Sequence, residues 1–163
     1  MRTSPLVLLL LMGCDGGNGG DGGDGGVKCP ADATNCQLFQ QHAWFVKVDV
    51  QSFADAEAYC AGLAGRLPTI EELRTLVVDC PVTAPGGACG VTDACTSKAN
   101  CYDPVPCVGC GDGGLSVFGD EAPFWSATPD GDDPAKVWYL AYRYNAVDTL
   151  VAAERRLSTY CVR

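Results

Sequence analysis

The segment Ser52-Phe-Ala-Asp-Ala-Glu-Ala-Tyr-Cys60, followed by Gly65-Arg-Leu-Pro-Thr-Ile-Glu-Glu-Leu73, decides the fold of this 163-residue chain. Ser52 with Asp55 three residues on is a capping-box pattern, in which a hydroxyl ahead of the first turn accepts a free backbone N–H. Phe53, Ala56, Cys60 and Leu63 then recur at helical spacing on one face, and Gly65 supplies the stop. Thr69 with Glu72 repeats the cap, and Ile70, Leu73 and Val77 line a second, shorter helix that ends near Cys80-Pro81. Upstream, residues 42–50 alternate in part and are rich in aromatic and β-branched types, which predicts a strand. Downstream, short runs bounded by turn residues predict four more, over 124–128, 136–143, 148–152 and 157–162. Helices and strands are segregated, so the fold class is α+β: two short helices packed on a twisted antiparallel sheet.

Between these halves, from Cys80 to Gly114, apolar periodicity gives way to glycine, proline and six cysteines, which predicts a disulfide-rich loop insertion. Cys80, Cys89, Cys95, Cys101, Cys107 and Cys110 are expected to pair among themselves, with a connectivity that sequence leaves open. Cys107 and Cys110 form a C-x-x-C, but no second such pair completes a zinc site, and its setting among prolines and glycines is unlike the helix start of a redox motif. Cys29, Cys36, Cys60 and Cys161 bring the total to ten, an even number. In an exported chain that implies up to five bridges, formed outside the cytosol.

Export is read from the N-terminus. Arg2 precedes an apolar run too short to span a bilayer, and the run ends in Leu11-Met12-Gly13-Cys14. This resembles a lipoprotein signal, in which residues 1–13 are removed and Cys14 becomes a lipidated N-terminus. Acyl chains contribute about 0.8 kcal/mol per buried methylene, so two chains anchor stably. Residues 14–28, mostly Asp-Gly-Gly repeats after Cys14, read as a flexible linker holding residues 29–163, a single domain, roughly 20 Å from the lipid surface. The expected setting is the cell envelope, with the domain outside the cytoplasm and the membrane as a partner through the lipid alone.

The chain carries 20 Asp and Glu against 11 Lys and Arg, a formal net charge of −9. Such a surface excludes nucleic acid as a partner. There is one histidine, His42, with no serine or cysteine motif nearby, which excludes Ser-His-Asp and Cys-His catalysis and histidine metal triads. No cofactor is expected, although Asp130, Asp132 and Asp133 cluster in a predicted loop where a calcium ion could sit with backbone carbonyls. The candidate binding residues are Tyr142, Arg143, Tyr144 and Asn145, at a predicted exposed strand end where amphipathic rings and amides suit a glycan or protein ligand.

Taken together with Phe124-Trp-Ser-Ala-Thr-Pro129, Val137-Trp-Tyr-Leu140 and the terminal Tyr160-Cys-Val-Arg163, the two opening segments resemble the Lcl C-terminal domain family over about residues 42 to 163. That resemblance implies a C-type-lectin-like fold, related also to formylglycine-generating enzymes, with its chain ends close together. It also implies a final strand beside the first helix. With Cys60 on that helix's apolar stripe, a Cys60–Cys161 bridge is expected. Binding is implied more readily than catalysis, because members occur on bacterial surfaces. The Glu-Pro-Asn and Trp-Asn-Asp motifs of calcium-dependent lectins are absent, so calcium-mediated sugar binding does not carry over. Strongly anionic glycans would be repelled unless Arg143, Arg155 and Arg156 form a local patch. The expected function is a lipid-anchored envelope protein with a non-catalytic lectin-like domain. A purely structural envelope module and a degenerate formylglycine-generating-type enzyme are the alternatives. Cys14→Ser is expected to leave the membrane fraction and lose incorporation of an alkyne fatty acid; label persisting on the serine variant would remove the lipoprotein reading.

Overall fold

In a computed structural model, which describes residues 27–31 and 33–163, each helix starts where its cap was read. Ser52 accepts from the Asp55 N–H ahead of α1 (Phe53–Gly62), and Thr69 and Glu72 close a full capping box on α2 (Ile70–Thr75). The leader 1–13, Cys14 and the linker up to residue 26 lie outside the described residues. α2 stops short of the predicted Cys80-Pro81, because Val77 leaves to bridge Ser116 and the Val78 N–H turns to the Leu115 carbonyl.

Around the helices runs one six-stranded sheet, built from β1 (Cys36–Phe39), β2 (His42–Gln51), β3 (Pro123–Pro129), β4 (Lys136–Ala141), β5 (Ala146–Val151) and β6 (Leu157–Val162) in the order β1-β2-β6-β3-β4-β5. It is mixed rather than purely antiparallel. β3, β4 and β5 form an antiparallel meander, but β6 then inserts between β2 and β3, antiparallel to the first and parallel to the second through Phe124 opposite Ser158. To reach that slot, residues 152–156 must pass from the outer edge at β5 across β4 and β3. β1 was not anticipated, and the strand predicted over 136–143 ends at Ala141, where Tyr142–Tyr144 turn into a 3-10 helix closed by Asn145 at φ 48°.

Strand alternation sends side chains to two buried faces. Trp44, Phe124, Trp138, Leu140 and Tyr160 pack with Ile70 and Leu73 of α2, and Phe124 stacks on Tyr160 with ring centroids 3.9 Å apart. Their neighbours Phe45, Trp125, Val137 and Cys161 point the other way, against Ala56 and Cys60 of α1.

The insertion covers the α2 face. Its bridges are nested: Cys95–Cys101 lies inside Cys89–Cys107, which lies inside Cys80–Cys110, with sequence separations of 6, 18 and 30. Two one-turn helices, α3 (Lys98–Cys101) and α4 (Pro104–Cys107), begin at Ser97 and Asp103 caps. Arg74 of α2 reaches into the insertion, fully buried. Its guanidinium donates to the carbonyls of Thr83 (2.6 Å), Ala84 (3.0 Å), Cys89 (3.0 Å) and Val91. At the far end the Tyr160 hydroxyl hydrogen-bonds Ser116 at 2.9 Å and donates to the Asp120 carboxylate.

The remaining bridges tie the ends together. Cys29–Cys36 pins the entry to β1, and Cys60–Cys161 joins α1 to the last strand with Cα atoms 5.3 Å apart, inside the limit of about 7 Å for such a bond. Its separation of 101 residues is the longest of the five. Closing a loop of that length is worth roughly 4.7 kcal/mol in the chain-entropy model. The Cys60→Ala/Cys161→Ala double variant is therefore expected to melt about 10–20 °C below wild type by calorimetry. An unchanged melting curve would show that the two sulfurs do not constrain the chain.

Candidate functional site

The crossing of residues 152–156 creates the site. α1 shields the β2, β6 and β3 part of its face, while Tyr139, Ala141 and Leu150 on β4 and β5 are left beside the crossing segment. A cleft of about 690 Å³ opens there, lined by Glu121 to Pro123 at the entry to β3, by Tyr139, Ala141, Thr149 and Leu150 on the sheet, by Arg143 and Tyr144 of the 3-10 turn, and by Arg155, Arg156 and Leu157. Pockets of 300–1,000 Å³ are the usual size for ligand sites.

Of the four candidate binding residues, the structure brings two to this cleft and buries the other two. Tyr142 continues the inward phase of Trp138 and Leu140; it is fully buried, and its hydroxyl donates to the Leu73 carbonyl at 2.9 Å. Asn145 is 3% exposed and holds the left-handed turn, with its backbone carbonyl accepting from the Thr83 hydroxyl at 3.0 Å. The exposed strand-end reading of these two is corrected: the strand ends at Ala141, two residues earlier than expected, and Tyr142 closes the buried row of Trp138 and Leu140. Arg143 and Tyr144 are exposed, with the guanidinium carbon 5.8 Å from the ring centroid.

Three cations meet in the cleft. Arg143, Arg155 and Arg156 are all exposed, and none forms an ion pair among the described residues; the ion pairs instead use His42, Arg66, Lys98 and Lys136. Arg156 does donate to the Val50 carbonyl at 3.3 Å, which holds its stem against the end of β2. The one carboxylate in the lining is Glu121. Tyr139 reports the local field: burial and the Asp148 carboxylate push its phenol up, while Arg155 draws it down. Tyr139, Thr149, Leu150 and Glu121 were missed by sequence reasoning, and the available signal was the outward phase of β4, Val137-Tyr139-Ala141.

The acidic loop is occupied with its own backbone. Asp130, 4% exposed, accepts from the N–H groups of Lys98 (3.3 Å) and Asp132 (3.0 Å). Asp132 accepts from the Ala99 N–H at 2.7 Å and the Ser97 hydroxyl at 3.0 Å, bonds that hold its carboxyl below the usual range. Asp133 pairs with Lys136 at 3.0 Å. These carboxylates cap α3 and a turn rather than converging, and among the described residues no group of three or more His, Cys, Asp or Glu is placed to hold a metal ion. His42 stands 4.0 Å from Glu72, whose carboxylate takes a bidentate pair from Arg66 at 2.6 and 2.7 Å.

No protein-family model matches the chain, and no curated protein matches it. Among solved structures the chain is similar to the mouse CD72a CTLD (TM-score 0.47, 11% identity, covering 83% of this chain and 92% of that one). It is also similar to the mouse scavenger receptor C-type lectin carbohydrate-recognition domain (TM-score 0.40, 16% identity, 83% and 98%) and to a calcium-independent type II antifreeze protein (TM-score 0.40, 15% identity, 83% and 94%).

The placement of Arg155 over the cleft is open to direct test. Selective carbon-13 labelling of tyrosine with an alkaline NMR titration is expected to move the Tyr139 transition to higher pH in Arg155→Gln, because a cation favouring phenolate is lost. In Asp148→Asn the same transition moves to lower pH. A Tyr139 transition indifferent to Arg155 would place that arginine away from the ring.

Proposed function

We propose that the chain is a non-catalytic ligand-binding module of C-type-lectin-like type, with the cleft between the sheet and residues 152–156 as its ligand site. The observation that carries this reading is the gathering of three unpaired guanidiniums and two tyrosines in one cleft of a protein whose net charge is −9. Charge of the minority sign, concentrated and unneutralised in a concavity, favours recognition of something outside the molecule. The α+β architecture, with β2 lying between the first strand, β1, and the last, β6, supports the lectin-like assignment, and the ordered motifs from Ser52 to Arg163 support a place near the Lcl C-terminal domains.

Catalysis is disfavoured by the lining itself. It holds no histidine or cysteine, and among the described residues no hydrogen bond joins its one carboxylate, Glu121, to Thr149 or to either tyrosine, so no nucleophile is paired there with a base. The oxidase-like alternative fares no better, since all ten described cysteines are bonded to one another and leave no thiol pair for copper. Five bridges support an extracytoplasmic setting. Lipid on Cys14 then supplies the attachment to the envelope.

Leu150→Trp, which fills the cleft from a half-buried position on β5 beside Val137, provides the test. Full-length wild type and variant are compared on a glycan array and against envelope extracts. Retention by wild type is expected to fall about tenfold in a variant of unchanged melting temperature. Equal retention by the two would move the ligand site elsewhere or leave the structural-module reading in its place.

A further inference from the structure

The cleft's polar inventory is one-sided. Three guanidiniums supply only donors, the phenols of Tyr139 and Tyr144 can donate or accept, and Glu121 is the one charged acceptor in the lining. A neutral sugar offers hydroxyls that donate as well as accept, and it is matched by amide and carboxylate acceptors. Asn145, the nearest amide in sequence, is buried. The complement of a cationic surface so rich in donors is a ligand of acceptors, and carboxylates fit guanidinium forks through paired hydrogen bonds.

The surroundings then limit the ligand's length. Glu121 stands in the lining itself, exposed Glu154 precedes Arg155, and Asp148, although paired with Lys98, still acts on Tyr139, so a partial ring of carboxylates borders the basic ground. An extended polyanion would overrun the three arginines and meet that ring, at a cost in repulsion. A short ligand would not. Within the cleft Pro123, Ala141, Leu150 and Leu157 provide apolar ground for side-chain methylenes, and tyrosine and arginine are residue types that dominate protein-binding hot spots.

We propose that the cleft binds a short acidic segment of a partner protein, a run of aspartate or glutamate whose two or three carboxylates engage Arg143, Arg155 and Arg156. This rests on the reading of the cleft as the ligand site. The arginines stand on the 3-10 turn and the crossing segment and β4 is hydrogen-bonded to strands on both sides, so the segment is held by side chains over the sheet face.

Fluorescence anisotropy with the full-length protein tests it, using as probes a short peptide carrying consecutive glutamates, the same peptide with glutamines, and a long dextran sulfate. The glutamate peptide is expected to bind roughly tenfold tighter than the glutamine peptide, with affinity falling as salt rises. Arg143→Gln/Arg155→Gln/Arg156→Gln erases that preference, while the corresponding triple lysine variant keeps most of it. Equal binding of the two peptides, glutamate binding unchanged in the glutamine variant, or tighter binding of dextran sulfate than of the glutamate peptide would each overturn the proposal. If the peptide preference fails while Leu150→Trp still abolishes retention of an envelope ligand, only the ligand class falls; if retention survives Leu150→Trp, the site itself falls.

Discussion

The guanidinium of Arg74 holds the largest irregular part of the molecule in place. Residues 80–114 have little regular ladder of their own, and buried carbonyls without donors each cost free energy comparable to a lost hydrogen bond. Four of those carbonyls, spread from Thr83 to Val91, converge on one side chain issuing from α2. Among the described residues no carboxylate hydrogen-bonds Arg74; burial pulls its pKa down, with Glu71 opposing, yet an arginine keeps its charge under such conditions. The charge is therefore solvated by peptide dipoles, and removing it would strand both helix and loop. Nested bridges complement this arrangement from within. Each inner closure shortens the free chain that the next must close, and loop-closure entropy grows with that length.

What was legible in the sequence was what is written locally. Ser52 with Asp55 and Thr69 with Glu72 are signals three residues long, and both helices begin where those signals stand. The core rows of β2, β3 and β4 were equally readable from alternation. Illegible were the arrangements that depend on distant partners. Nothing near Leu157 announces that β6 will pair with β3 in parallel, because that choice is made by the slot left between β2 and β3. β1 escaped notice because it is a four-residue edge strand whose Leu38 lies outward, 59% exposed, so it shows little of the pattern that marks a half-buried strand.

The site divides along the same line. Arg143 and Tyr144 were found because polar residues after an alternating run are a local cue. Tyr142 and Asn145 were misplaced because the strand ends two residues sooner than that cue implied, and Asn145 closes the turn in the left-handed region. Arg155 and Arg156 could be named as a conditional patch, but their convergence with Arg143 follows from the route of residues 152–156 over the sheet. The cleft is thus a product of topology: had β6 been added beside β5, no segment would cross β4 and no concavity would exist there.

The direction of β2 has its own bearing on how the molecule faces its surroundings. Near its start Phe45 pairs with Cys36, whose bridge to Cys29 marks where the described chain enters the domain; at its end Gln51 pairs with Leu157, and Val50 receives Arg156. Six residues separate Phe45 from Gln51, a span of about 20 Å at the rise of an extended strand. Entry point and cleft therefore sit at opposite poles of the domain.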